Sequence, residues 1–409
     1  MSAPILSARF DPLAPEQLED PFALLALARR EQPVFYAPEH DLWVVTRHED
    51  VLAVLKDHRS FSSTGALKSA AAPLPPEVAA VLAEGEPSMP YIIEIDPPLH
   101  DRIRGLVTKA FTPRRIAALE PEIHAIVDEL LDELPPAGEA DIVERFAWPL
   151  PLRVLGRLLG LPADDLAQLH RWGLDWLLVQ QEVPLEQRLA HARGTVDLQR
   201  YFLDVVADRE RAPTDDLIGA LVASRREIEP PLSDVEIAGL PLDLMVAGHV
   251  TVTRAIGSTL ALLFRQPQLR DHLLDPERRG AAIEEVLRLE SPAQGLFRTA
   301  TRDVALGGAT IPAGARVMAH FASANRDECA FAAPGDYRAD REDIAKHLAF
   351  GKGIHFCIGA PLARLELGVA LPALLRRLPG LRAAAEPPQR EPVFFARGFA
   401  RLVVAWGDA

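Results

Sequence analysis

Cysteine is scarce in this sequence. Its 409 residues hold two, Cys329 and Cys357, too few for a disulfide framework, so a stapled secreted scaffold is excluded. An excess of positive charge is also lacking. Forty-four Lys and Arg stand against 58 Asp and Glu, a formal net charge of −14, which argues against a nucleic-acid partner. No uninterrupted apolar run has the length of a bilayer span, and MSAPILSARFDPLAPEQ at the start lacks the basic-then-apolar pattern of an export signal. A cytoplasmic chain with no membrane contact is expected. Ser/Gly-rich linkers, low-complexity blocks and internal repeats are missing too, so residues 1–409 read as one domain, expected to act as a monomer.

What is present is apolar bulk with helical spacing, 48% of the residues being hydrophobic. PFALLALARRE, from Pro21 to Glu31, and HEDVLAVLKD predict helices, with PVFYAP and LWVVTR between them as a hairpin. From about Ser62 to Ile95 the chain is rich in Pro, Ala and Gly, and a loop that long in a compact protein is usually functional. Helical patterns then run to about Arg225, with breaks at Pro113, at PPAGEAD and near APTDD. Ser233 and Glu236 are spaced as a capping box before the longest helical segment, to Arg265, in which Pro241 removes a hydrogen bond. Strand signals return in FRTATRDVALGGATIPAGARVMAHF and VFFARGFARLVVAW. The fold class is mainly α with small β-sheets.

The most informative stretch is AFGKGIHFCIGAPLARLELG, Ala349 to Gly368. An isolated cysteine is commonly a small buried hydrophobe. Here Gly351, Gly353 and Gly359 surround it, with backbone freedom that would let a flat ligand approach. Helical spacing begins just after Cys357, so the positive helix end would stabilise a thiolate. With no further Cys or His at zinc spacing, a structural zinc site is disfavoured.

FGKGIHFCIG resembles the haem-binding signature of the cytochrome P-450 superfamily, F-G-x-G-x-H-x-C-x-G, at every fixed position. The resemblance implies the fold of that family, a triangular prism with haem b (iron protoporphyrin IX) between the central and cysteine-side helices. It makes Cys357 the axial thiolate on iron, with Phe350 packed nearby and Gly351 and Gly359 part of the cofactor loop. EEVLRLESP carries Glu285 and Arg288 as the family's E-x-x-R pair, which implies a structural lock onto Arg338 or Arg341. DPPLHDRIRGLV resembles another family segment and makes His100 and Arg104, at i,i+4, contacts of a haem propionate; Arg298 and His355 match the remaining ones. LMVAGHVTVTRA resembles the distal helix, where Ala247, Gly248 and Thr251 fit. Small Ala247 and Gly248 would let the helix pass close over the haem, and Thr251 would hydrogen-bond dioxygen or a water. A hydroxyl bonded to its own helix is the bland alternative.

The pattern breaks at Val250, where the family has a carboxylate that helps deliver protons, and valine has none to exchange. His249 or a water chain is left as the substitute. The expected function is insertion of one oxygen atom from O2 into a small hydrophobic substrate of the terpenoid, steroid, fatty acid or macrolide class. Electrons would come from a separate ferredoxin or flavodoxin and its reductase, steered by Lys109, Arg114, Arg115, Lys346 and Lys352. Val250 motivates two alternatives, a peroxide-driven peroxygenase and a non-catalytic haem protein that binds a small ligand. By the family's layout the substrate pocket would draw on Leu67, Met89, Ile92, Trp176, Leu177, Val246, Leu296, Phe297, Phe394 and Phe395; ordinary core is the alternative for each.

Overall fold

The computed structural model describes Leu6 and residues 9–67, 74–86, 91–179 and 183–407. Its chain divides into two compact units. One comprises Met1–Ser69, Val127–Pro149 and Thr251–Ala409; the other comprises Ala70–Ile126 and Leu150–Val250.

All strands among the described residues lie in the first unit. The expected hairpin forms, Val34–Ala37 antiparallel to Leu42–Val45, and the second strand pairs parallel with Arg316–Ala319. Leu296–Ala300 and Phe61–Ser62 complete a five-stranded sheet. One face of it packs Val45, Phe61 and Val317 into a buried core with Val54 of the helix His48–Lys56, where area burial drives assembly. Gly138–Asp141 pairs antiparallel with Val403–Trp406. The sequence reading took this segment for a break between helices, because its partner lies far along the chain and its exposed, acidic residues show no alternation.

The second unit is helical. Leu185–Arg211 packs against Leu166–Leu178 and against Pro76–Leu82, where Val78, Val179 and Ala192 form a small buried cluster. The helix Pro76–Leu82 corrects the expectation of one long weakly structured loop. Its Pro75-Pro76 start pre-sets the first turn, a signal hidden by the Pro/Ala-rich composition around it. The longest helix, Asp234–Arg265, contributes its first half to this unit and its second half to the other. The capping box is formed: Glu236 N–H donates to Ser233 Oγ at 3.2 Å and Ser233 N–H to Glu236 Oε2 at 2.8 Å. By length and composition alone this helix is apolar enough to cross a bilayer, which the sequence reading did not expect. Ile237, Leu240, Ile256 and Leu260 on it are nonetheless buried in protein, as are Asp243, His249 and Arg254.

Candidate active site

The Cys357 loop is closed by its own backbone. Cys357 N–H donates to Phe350 O at 2.9 Å, and the turn between them places Gly351 and Gly353 at φ +67° and +73°. The demand at Gly353 is not the expected approach of a ligand. A Cβ there would stand 2.3 Å from Leu55 O on helix His48–Lys56, so glycine is what lets two backbones meet. Gly359 also differs from expectation. Its φ of −78° is ordinary, and a Cβ there would be in normal contact, 3.8 Å from Cys357 Sγ.

The helix Ala360–Arg377 starts directly after this loop, as expected, with Pro361 in its first turn. The positive end of its dipole therefore lies beside the thiol. Sequence reasoning missed the cation that completes this environment. Arg364 donates to both oxygens of Glu284, at 2.6 and 2.8 Å, and stacks 4.5 Å from the centre of the Phe350 ring. Its pKa is raised by the Glu284 bond and, in smaller part, by the charge of Cys357. His347 Nε2 lies 2.8 Å from Glu284 Oε2. Burial pushes the Glu284 carboxyl up, but its bonds to Arg364 and His347 prevail and hold it at about 2. Arg364, two turns after the cysteine, was the available signal.

The donor chemistry can be tested against haem. Among the described residues no group of three or more His, Cys, Asp or Glu is arranged to hold a metal ion. Cys357 is therefore a lone thiol donor set between a positive helix end and a fixed guanidinium, which fits one axial bond to iron and does not fit structural zinc.

Of the propionate candidates, Arg298 and His355 belong to the first unit. His355 Nε2 lies 2.9 Å from Ser63 Oγ, and buried Arg298 donates from Nη1 to Phe297 O at 2.7 Å. His100 and Arg104 belong to the second unit, one turn apart on the helix Leu99–Ala110, with His100 Nδ1 2.9 Å from Asp101 Oδ1. The structural pair is resolved fully. Arg288 donates to both Glu285 oxygens at 2.7 and 2.8 Å, all of it buried. Arg341 Nε reaches both oxygens at 3.0 Å, whereas Arg338 gives Glu285 only its backbone N–H, also at 3.0 Å.

On the central helix Ala247 is exposed, and Val246, Gly248, Val250 and Thr251 are half-buried. Gly248 departs from its expected role: a Cβ would meet Leu155 Cδ2 at 3.1 Å, so its small size serves the packing of two helices within the second unit. His249 is buried edge-on to His170, with ring centres 5.6 Å apart.

Among the pocket candidates, Ile92 is half-buried and Trp176 lies 4.2 Å from the Tyr91 ring in the second unit. Met89 and the side chain of Leu177 lie outside the described residues. In the first unit Phe297 is buried beneath the Arg316 guanidinium, with Phe394 and Phe395 packed on it. Leu296 packs against the sheet core and Leu67 is half-buried. Of the proposed steering cations, Lys109 is bound to Glu227 at 2.9 Å and Arg115 to Asp215 at 3.1 Å.

A family profile described as cytochrome P-450 matches residues 280–391. Mycinamicin IV hydroxylase/epoxidase of Micromonospora griseorubida is 38% identical over 376 residues, 90% of each chain. Among solved structures, a cytochrome P-450 from Chondromyces apiculatus superimposes with a TM-score of 0.88 at 36% identity, covering 99% of this chain and 100% of that one. Another, from Bacillus megaterium in complex with testosterone, gives 0.82 at 32% identity, covering 95% and 100%.

Proposed function

The chain belongs to the cytochrome P-450 monooxygenase family and takes haem; from that premise we propose that it inserts one oxygen atom into a small hydrophobic or amphipathic substrate. The single observation that carries the reading is the Cys357 loop, closed onto Phe350 O at a helix start with Arg364 beside it. Haem, when bound, supplies reductive activation of dioxygen, one atom entering a C–H or C=C bond of the substrate and the other leaving as water.

The protein's residues supply the rest. Cys357 would hold the haem iron through its thiolate, and the helix end with Arg364 would stabilise its charge. Arg298 and His355 in the first unit, and His100 and Arg104 in the second, are the residues that would meet haem propionates. Thr251 handles protons through its hydroxyl, and Val250 beside it keeps the helix face apolar. Within the terpenoid, steroid, fatty acid or macrolide range, the relatives' names support a macrolide or a steroid: one is a mycinamicin hydroxylase/epoxidase, another was solved with testosterone. Electrons come from a separate ferredoxin or flavodoxin with its reductase, in the cytoplasm, to the whole chain acting as one monomeric domain. With Lys109 and Arg115 already paired, Arg114, Lys346 and Lys352 carry the steering.

Val250 supports a second reading, oxidation driven by peroxide. Comparing turnover on reduced ferredoxin plus dioxygen with turnover on peroxide alone decides: well-coupled ferredoxin turnover removes the second reading, and turnover on peroxide only removes the first. The ligation is checked separately. The reduced carbonyl complex is expected to show the red-shifted Soret band of thiolate ligation and Cys357→Ala to lose it; absence of the band in the unmodified protein overturns the assignment.

A further inference from the structure

The stripe of the central helix assigned to the pocket begins with a carboxylate. Asp243 precedes Val246, Ala247 and Val250 by three, four and seven residues, the spacing that places all four on one helix face. It is 7% exposed, and its one hydrogen bond among the described residues is from Ile92 N–H to Oδ2 at 2.9 Å. A carboxylate has about four acceptor sites, so most of its capacity is unused. Tyr91 adjoins it. The Tyr91 hydroxyl is buried and has no partner among the described residues, its ring lies against Trp176, and the charge of Asp243 raises its pKa after burial itself. An under-used acceptor and an unpartnered donor within an apolar setting of Ile92, Trp176 and Val246 are each costly unless something meets them.

We propose that Asp243 and Tyr91 select substrates carrying a hydroxyl group on an apolar body. A hydroxyl donates once and accepts twice, so it donates a hydrogen bond to the Asp243 carboxylate and accepts one from the Tyr91 O–H, satisfying both groups at once. An ammonium group serves Asp243 but has no acceptor for Tyr91, and an ether serves Tyr91 but has no donor for Asp243. Asp243 is thus a specificity-determining residue at one end of the stripe, and Val250 keeps the other end apolar. The inference rests on the monooxygenase reading with an apolar guest.

The test is titration of the haem-loaded protein with dodecan-1-ol, 1-methoxydodecane and dodecylammonium, followed by the shift of the Soret band. The alcohol is expected to bind at least ~10-fold tighter than the ether. Asp243→Leu is expected to erase that difference and Tyr91→Phe to weaken the alcohol alone. Asp243→Asn, which keeps the volume and an acceptor for Ile92 N–H, is expected to fold normally and retain part of the preference. Equal affinity for alcohol and ether in the unmodified protein, or a preference unchanged in both Asp243 variants, overturns the proposal and leaves the monooxygenase reading standing. Tighter binding of the ammonium than of the alcohol also overturns it, in favour of ionic recognition. No shift with any of the three overturns the apolar-guest reading and this inference with it.

Discussion

At the scale of single residues, the Glu285–Arg288–Arg341 group shows what tertiary structure adds to a motif. The E-x-x-R pair was legible, but both Arg338 and Arg341 satisfied the spacing, and only folding decides which guanidinium turns inward. Because all three side chains are buried, removing one partner strands the others' charge. Arg341→Ala is expected to lower unfolding stability by about 3–5 kcal/mol, read from the urea midpoint. Arg338→Ala, which leaves its backbone N–H in place, is expected to cost under about 1 kcal/mol; equal losses would show that the Arg338 side chain carries the lock. Val250 is a second residue-scale case. Valine has no proton to exchange where the family has a carboxylate, so Val250→Glu is expected to raise product formed per electron consumed and lower peroxide release. Unchanged coupling would mean that another group already delivers protons.

At the scale of elements, helices and hairpins with strong local periodicity were legible: Phe22–Glu31, His48–Lys56, the first hairpin and the capped central helix all form. What was not legible depends on distant partners. The strand Gly138–Asp141 exists because Val403–Trp406 lies alongside, and Gly353 is needed because Leu55 O approaches it. The same blindness explains Gly248, whose neighbour Leu155 is on another helix. The two loop glycines give a test of this distinction. Gly353→Ala meets both a positive φ and a backbone oxygen, so a loss above ~2 kcal/mol and poor haem retention are expected. Gly359→Ala, at an ordinary φ with its Cβ in normal contact, is expected to stay within ~1 kcal/mol by the same thermal-unfolding measurement. Similar losses at both positions would show that local φ is not what the motif's glycines satisfy.

At the scale of the whole molecule, a half-buried carboxylate and a buried one tie stability to pH in opposite senses, one in each unit. Glu284 is held at about 2, below its usual 4.5, so its stabilisation is present above about pH 4.5 and is lost as pH falls towards 2. Asp243 behaves in reverse. Burial raises it from 3.8 to about 7, against the Ile92 N–H bond, with the charge of Glu94 adding to the rise. The neutral form is the one the fold prefers, so stability is greatest below about pH 4 on this account and falls as pH rises to 7. Screening at the partly exposed Glu284 reduces its share to about 2 kcal/mol, while the share of Asp243 is on the order of 2–4 kcal/mol. Urea midpoints of the haem-loaded protein from pH 3 to 8 separate the two. Glu284→Gln is expected to lower stability at pH 7 and flatten the acid limb; Asp243→Asn is expected to raise stability at pH 8 and leave the acid limb below pH 4 intact. The second outcome bears on substrate selection, because a carboxylate that weakens the fold at neutral pH is retained at a stability cost that ligand recognition explains and packing does not. If Asp243→Asn instead lowers stability at pH 8, the carboxylate is a structural anchor for Ile92, and the stripe it heads contributes shape alone.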